Sequence, residues 1–591
     1  MYSMQIAFNV IDQLNHIISL AANSLPEFSR EFQPEVRTAD PKFGDFQANG
    51  VMSFAKKIKA NPRQLAETLI NALNTSNKLN PDFVTLSIAG PGFINFKFLP
   101  KFYIEWLKLY NNEQSFHHAA DRIYHGKIIS IDYSSPNTAK QMHVGHIRSM
   151  VIGEAIQRML RFCGATINRD NHIGDWGTQF GIIIMGVKEF NYNLDAPHDD
   201  PLEDLEDIYK KGNALFESSD TYKERARAEL VKLQKGDPEN VSLWEKINKV
   251  SYAAFQKIYD MMNIQFDVVL GESFYRNKVD RIYKELLETD VAQESQGALV
   301  VFHPTEGKDS ADYPFIIRKK DGASNYSSTD LATVLYHTEH TKADEIIYVT
   351  DGRQQDHFKY LFATVDKWFD AKGYKKPELR HAWFGTILGE NGKAIKTRSG
   401  NPIKLKDLLQ EAIDRAYKIV TEKNPTLDES SRKHVATIVG LGALKYADLS
   451  QNRTSDYIFS WDKILSFEGN TAPYLLYAVA RIHSIFRKAN VPADTNWGDN
   501  LSLETHEELT LARKIVEFPT ALKHTISELR PHILCTYLYE LSGCFSSFYN
   551  ANKVIVEEDN IRNSRLLLCS RTLCILETGL HLLGLETLEK M

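Results

Sequence analysis

Tyr133-Ser134-Ser135-Pro136-Asn137-Thr138-Ala139-Lys140-Gln141-Met142-His143-Val144-Gly145-His146 is the stretch from which the fold is read. The apolar run Ile128 to Tyr133 before it reads as a strand, and a helical pattern follows from about Val144 to Phe162. A strand that ends in a polar loop and hands over to a helix is the unit of an open parallel α/β sheet, where ligands gather at the carboxyl ends of strands. The start of the next helix offers unpaired N–H groups and a positive dipole end, a setting for an anion. His143 and His146 share one helix face and can donate to phosphate oxygens, while Gly145 leaves the backbone open to a flat base or a ribose. Taken bare, the pattern also reads as two surface histidines at a helix start.

Working outward, Thr166 to Phe180 repeats the strand-to-loop design. Strand signals return at Ala298 to Phe302, at Phe315 to Lys319 before an Asp321-Gly322 turn, and at Glu345 to Val349. From about 190 to 265 the chain is helical and rich in charge, as in Glu203 to Lys211 and Tyr222 to Leu233, which reads as an insertion within the α/β domain. Residues 1 to about 120 form a separate α+β pattern. It has helices over Ile6 to Leu20 and Pro62 to Leu73, and strands over Phe83 to Ile88 and Phe93 to Phe98 around Gly90-Pro91-Gly92. Beyond about 405 strand signals nearly vanish. Helical periodicity over Leu405 to Glu422, His434 to Leu449, Tyr474 to Lys488, Glu507 to Leu529 and Leu534 to Asn550 reads as an all-α bundle. The expected domains are 1–120, 121–405 and 406–591.

The 591 residues exceed one core, and roughly three or four domains are expected at about 150 residues each. A net charge of −6 gives no global pull toward nucleic acid, so such a role rests on local patches or on shape. The five cysteines, Cys163, Cys535, Cys544, Cys569 and Cys574, include no CxxC pair, which reads as reduced thiols in a cytosolic compartment and no zinc site. No basic-then-apolar leader is visible, nor an apolar run near the ~20 residues of a membrane helix, so a soluble protein is expected.

The segment around His143 resembles the HIGH signature of class I aminoacyl-tRNA synthetases. Its longer form, SSPNTAKQMHVGHIRS followed by NHIGDWGTQFG (Asn171 to Gly181), is similar to the arginyl members in particular. The resemblance covers nearly the whole chain. It implies a multidomain α/β protein with a Rossmann-type catalytic domain bearing a helical insertion, an N-terminal α+β domain that packs against the tRNA elbow, and a C-terminal all-α anticodon-binding bundle. It also implies a ligase that activates L-arginine with ATP, carried with Mg2+, to arginyl-adenylate. The arginyl group then passes to the 3′-terminal ribose of tRNA(Arg), and activation needs the tRNA already bound. In that family the signature stabilises charge developing at the α-phosphate through preorganised donors, without a nucleophilic Ser or Cys.

The class also carries a mobile basic loop, KMSKS, matched here by Ile395-Lys396-Thr397-Arg398-Ser399. The resemblance makes Lys396 and Arg398 clamps on the phosphates, with Arg398 in the place of the second lysine. Ile395 replaces the first lysine; arginyl enzymes with that change tend to carry a lysine just before HIGH, where Lys140 stands. Ser135, Asp175, Trp176, Gln179 and Phe384 are expected, with Gly145, to shape the nucleotide pocket.

A guanidinium is planar, permanently charged and bears five donors in a fork, so its pocket needs carboxylates, further acceptors and a flat wall. Tyr326 and Asp330 lie four apart at a helix entry, and the apolar Ile346 to Val349 delivers Thr350 to His357 to a strand's carboxyl end. They match the family's tyrosine-x-x-x-aspartate pair, and Gln354 before His357 matches its glutamine three residues ahead of a histidine. Glu272 matches a further acid near the guanidinium, and Asn137 the asparagine that holds the α-amino end. Ser328 stands where the family often has threonine. Such a pocket rejects lysine, because each polar group left unpaired costs about 1–3 kcal/mol.

Lys445 to Ser450, Ile458 to Asp462 and Tyr474 to Tyr477 resemble the anticodon-binding domain of the arginyl enzymes, and Ala89 to Phe96 resembles their N-terminal domain. An anticodon loop is read by aromatic stacking and by hydrogen bonds to splayed bases, which nominates Tyr474 and Arg481. The expectation is a cytoplasmic monomer with no membrane contact and no structural metal. Two other readings compete with this one. The class I cysteine enzyme shares both signatures but selects its thiol with zinc, which an acidic pocket without zinc ligands argues against. A catalytically silent tRNA-binding scaffold is opposed by the presence of His143, His146, Asn137 and Asp330.

Overall fold

The computed structural model describes residues 6–28, 31–304, 312–320, 322, 324–393, 395 and 402–591. Asp321 of the expected turn, and Lys396 and Arg398 of the basic loop, lie outside the described residues. The chain divides into two compact units, Tyr124–Leu465 and Met1–Ile123 with Ser466–Met591.

In the Tyr124–Leu465 unit four parallel strands lie in the order Glu378–His381, Glu345–Tyr348, Ile128–Asp132, Thr166–Asp170. The helices Ile147–Phe162 and Gln355–Lys372 supply crossovers, as parallel neighbours require. Ile129, Ile131, Ile346 and Ile347 are all buried, so the central strands are covered on both faces and read as nearly unbroken apolar runs. The register sets His381, Tyr348, Asp132 and Asp170 in one row across the carboxyl edge.

The strand signals at 298 and 315 do not join this sheet. Gln293–Ser295, Ala298–His303 and Tyr313–Arg318 form a separate antiparallel ribbon. Neighbours joined by short links close as hairpins, whereas a parallel partner needs a crossover of about a dozen residues or more. The ribbon's Leu299, Val301, Phe315 and Ile317 share a core with Leu331, Leu335 and Trp368.

The insertion consists of helices Pro201–Ser218, Asp220–Gln234 and Pro238–Met261. Asp200, Ser219 and Asp237 cap them by accepting the amides of Glu203, Tyr222 and Asn240, so each start is written in the local sequence. The chain then rejoins the sheet, with Val268 bridged to Asp170.

Helices Leu405–Lys423 and Glu429–Leu449 also belong to this unit. Buried Asp448 of the second accepts Arg148 Nε at 3.1 Å, and Arg148 Nη1 donates to the Ser455 carbonyl at 3.1 Å. The turn to helical sequence at about 405 is therefore not where the compact unit ends. Loss of strand periodicity marks a change of element, and the division falls after Leu465.

The other unit holds an antiparallel sheet in the order Val36–Thr38, Phe46–Ala48, Phe93–Phe98, Val84–Ala89. Its later part is helical: Ala472–Ala489, His506–Val516, Phe518–Glu528, His532–Ala551 and Asp559–Leu582. The two parts share polar anchors. Buried Asp45 accepts the Phe98 amide and pairs with Arg513, each at 2.5 Å, and Arg571 Nε donates to the Leu107 carbonyl at 2.7 Å. The five cysteines are free thiols. Among the described residues no helix is long and apolar enough to cross a membrane.

Candidate active site

The strand Ile128–Asp132 has Thr166–Asp170 on one side and Glu345–Tyr348 on the other, so the strand order reverses there. The crevice at such a reversal is where open α/β sheets bind ligands. The loop leaving this strand holds three non-glycine residues at positive φ, Ser134 (75°), Ser135 (46°) and Ala139 (61°). Strained backbone of this kind persists where the surroundings over-determine it. Here the Ser134 amide donates to Ser149 Oγ (2.9 Å), the Ser135 amide to Asn171 Oδ1 (3.0 Å) and the Ala139 amide to Ser251 Oγ (2.9 Å). Exposed Asn137 is bridged to Gly174, and the Thr138 amide donates to the Gly174 carbonyl at 3.1 Å.

The loop ends in the two histidines, whose rings are 4.1 Å apart. The Gly145 amide donates to His143 Nδ1 at 3.1 Å, which makes Nε2 the protonated nitrogen of a neutral His143. His146 Nδ1 lies 3.1 Å from the His143 amide and 3.2 Å from its carbonyl. Burial lowers the pKa of His143, and burial with the neighbouring His143 pushes His146 down to about 4. Both rings are neutral donors near pH 7, and the helix behind them supplies the positive dipole end. A Cβ on Gly145 would lie 2.9 Å from His143 Cε1, so glycine is what lets the ring fold back. Lys140 Nζ sits over the Tyr209 ring at 5.0 Å, and its charge helps to depress His143, as does that of exposed Arg353. Ile403 accepts the Val144 amide at 2.9 Å and Met142 accepts the Leu405 amide at 2.8 Å. The segment that follows Lys396 and Arg398 is thereby fastened beside the histidines.

Across the row lies an acidic pocket. Asp330 Oδ2 accepts His357 Nε2–H at 2.6 Å, which joins the helices Tyr326–Tyr336 and Gln355–Lys372. Asp132 accepts Ser135 Oγ at 2.6 Å, and burial, opposed by His172, leaves its pKa at about 6. Burial also raises Glu272, to about 7, with His172 opposing and Asp330 and Asp175 adding to the rise. Burial disfavours charge on His172, yet Asp132, Asp330, Asp170 and Glu272 together outweigh it and raise its pKa. Four carboxylates that favour charge on a buried ring mark a place built for positive charge. Tyr326 is 70% exposed at the first turn of its helix, within reach of the charges of Glu272 and Asp330. Gln354 is exposed in the short turn Gly352–Gln354.

The remaining candidates differ in how freely they face the crevice. Asp175 is 3% exposed, and its carboxylate accepts Ser273 N (2.9 Å), Ser273 Oγ (2.6 Å) and Tyr252 OH (3.3 Å). Trp176 stacks edge-on against Trp244 and beneath Arg276, and Gln179 Nε2 donates to the Trp176 carbonyl. Phe384 is buried and bridged to Asp351, with Arg148 over its ring at 5.7 Å. In the other unit, Tyr474 packs against Tyr539 and Arg481 lies over Tyr549 at 4.3 Å. Sequence reasoning missed Asp132, Asp170, His172 and Arg353. The available signal was an acid closing a buried apolar strand, as in Ile-Ile-Ser-Ile-Asp.

The family described as tRNA synthetases class I (R), catalytic domain, matches residues 109–461. The Arginyl tRNA synthetase N terminal domain matches 12–98 and the DALR anticodon binding domain 475–591. The chain is 40% identical over 562 residues to the arginine–tRNA ligase of Marinomonas sp. strain MWYL1, covering 94% of this chain and 95% of the relative. It is 41% identical over 570 residues to that of Escherichia coli strain K12/DH10B, covering 95% and 96%. The crystal structure of arginyl-tRNA synthetase from Plasmodium falciparum is similar with a TM-score of 0.83 and 29% identity, over 99% of this chain and 100% of that one.

Proposed function

The chain belongs to the class I arginyl-tRNA synthetases, and from that membership we propose how its residues divide the work of ATP-dependent ligation of arginine to tRNA. In the first step an oxygen of the arginine carboxylate attacks the α-phosphorus of ATP. The bond to the bridging oxygen breaks and pyrophosphate leaves, with Mg2+ entering as the counter-ion of the substrate. The 3′-terminal ribose hydroxyl of bound tRNA then takes the arginyl group and AMP departs.

His143 and His146 donate to the oxygens of the α-phosphate as charge builds there, an effect that grows in a preorganised site. Lys140 and Arg353 supply positive charge where Ile395 stands in place of a lysine, and Lys396 and Arg398 close over the phosphates. Gly145, Ser135, Trp176, Gln179 and Phe384 shape the nucleotide side. Asp175, its oxygens already taken, positions the turn that carries Glu272. The guanidinium lies between Asp330 and Glu272, with Tyr326 as its flat wall and Gln354 as a further acceptor, and Asn137 holds the amino group. The observation that carries this reading is a pair of neutral imidazoles and a half-buried acidic pocket at one edge of one parallel sheet.

The module up to about residue 120 is proposed to meet the tRNA elbow. The helices beyond Leu465 would read the anticodon, with Tyr474 and Arg481 among the contacts. A monomer working in the cytoplasm, active only once tRNA is bound, completes the proposal. ATP–pyrophosphate exchange tests it: exchange is expected with arginine, not with lysine or cysteine, and only when tRNA is added. Exchange supported by another amino acid, or equal exchange without tRNA, would refute the corresponding part.

Two further outcomes are expected. Glu272 is protonated in the empty pocket below about pH 7, and a bound cation favours its charged form, so arginine binding expels a proton. Arginine affinity should therefore rise as pH goes from 6 to 8, by up to about tenfold per unit below the pKa of Glu272. Calorimetry in buffers of different ionisation enthalpy measures the proton released, and Glu272→Gln should abolish that release. Gly145→Ala should push the His143 ring from its place and slow exchange by up to about 100-fold, with thermal stability little changed.

A further inference from the structure

The insertion helix Pro238–Met261 turns a polar stripe toward the two loops that bear the active-site residues. Trp244 Nε1 donates to the Asp175 carbonyl at 2.7 Å, and Tyr252 OH donates to Asp175 Oδ2 at 3.3 Å. Ser251 Oγ accepts the Ala139 amide at 2.9 Å while giving its own proton to the Ile247 carbonyl at 2.8 Å. Tyr259 OH accepts Asn171 Nδ2 and pairs with Ser134 Oγ, both at 2.9 Å. Positions 244 and 251, and 252 and 259, are each close to two helical turns apart, so the four side chains fall within an arc of roughly 100° on one side of the helix.

We infer that this stripe is a positioning device with two separable arms, Trp244 and Tyr252 setting Glu272 through Asp175, and Ser251 and Tyr259 setting the nucleotide loop from Ser134 to Ala139. The inference rests on the reading of Glu272 as an acceptor for the guanidinium. Asp175 is wedged under the turn that carries Glu272. Ser273 gives both its amide and its hydroxyl to the carboxylate, and a Cβ on Gly271 would lie 2.4 Å from the carboxylate carbon. Whatever fixes that carboxylate fixes Glu272, which stands between Gly271 and Ser273. Tyr252 is the donor that reaches it from the insertion, on the same oxygen as Ser273 Oγ. Burial and then the Asp175 charge raise the phenol's pKa, so it stays a donor. Removing the hydroxyl keeps the ring and frees the carboxylate to pivot. On the other arm, removing Ser251 Oγ leaves the amide of strained Ala139 without its acceptor.

Tyr252→Phe and Ser251→Ala in the full-length protein, assayed by ATP–pyrophosphate exchange at saturating tRNA, test the two arms. Tyr252→Phe is expected to raise the arginine KM about five- to tenfold, as for one lost hydrogen bond, with the ATP KM unchanged. Ser251→Ala is expected to raise the ATP KM by a similar factor and leave the arginine KM unchanged. In a Glu272→Gln background Tyr252→Phe should add nothing, because it acts through that residue. The inference is overturned if both variants move both constants together, if neither constant moves, or if Tyr252→Phe adds its full effect to Glu272→Gln. A raised arginine KM in Glu272→Gln without one in Tyr252→Phe sinks the stripe alone. An unaltered arginine KM in Glu272→Gln sinks the pocket assignment beneath it.

Discussion

Asp330→Asn is expected to weaken arginine binding by about 100-fold or more while leaving ATP affinity nearly unchanged. The substitution keeps the shape of the side chain and removes its charge. Asp330 is fixed by His357 Nε2–H on one oxygen at 2.6 Å, which leaves the rest of the carboxylate to a forked cation. Removing one member of a buried, hydrogen-bonded charge pair costs about 2–5 kcal/mol, because the other charge stays behind unpaired. Calorimetric titration with arginine, and separately with ATP, measures the split. Equal losses for both ligands would mean a general disturbance of the crevice. No loss for arginine would remove Asp330 from the pocket.

His146→Ala should act on the other quantity, lowering kcat of exchange by about 100- to 1000-fold, the usual cost of losing one preorganised donor. Ground-state binding of ATP and arginine should change little, because the donor is needed most as charge builds on the α-phosphate. Burial holds the ring near pKa 4, so the defect should be the same across pH 6 to 8. Exchange kinetics at several pH values, at saturating substrates, provide the check. A defect confined to one side of that range would mean that the imidazole works as an acid or a base.

What the sequence discloses follows from what is local in it. The sheet was legible because Ile128 to Tyr133 and Glu345 to Val349 are apolar runs followed by polar loops, and the histidine pair because its spacing lies within one turn. Helix starts in the insertion were equally local, resting on Asp200, Ser219 and Asp237. The acidic row is not local. Asp132, Asp170 and Tyr348 meet only through the register of three strands, and no pattern in any one of them announces the others. His172 lies within Asn171 to Gly181, but its role depends on Asp132, Asp330 and Glu272 from other segments together with Asp170 beside it. The strand signals at 298 and 315 were legible, but their pairing in a separate ribbon was not, because periodicity gives a strand without giving its partner. The tie between Arg148 and Asp448, 300 positions apart, which fastens the helices after 405 to the sheet, is equally non-local. Lys396 and Arg398 of the basic loop lie outside the described residues, and the anchor at Ile403 to Leu405 bears only on where the chain continues after them.

The most direct measurement is a crystal structure with a non-hydrolysable arginyl-adenylate analogue bound. It should place the group that mimics the α-phosphate within hydrogen-bond distance of His143 and His146, and the guanidinium between Asp330 and Glu272. A guanidinium seated away from those two carboxylates, or a phosphate mimic held by residues other than the histidines, would contradict the account.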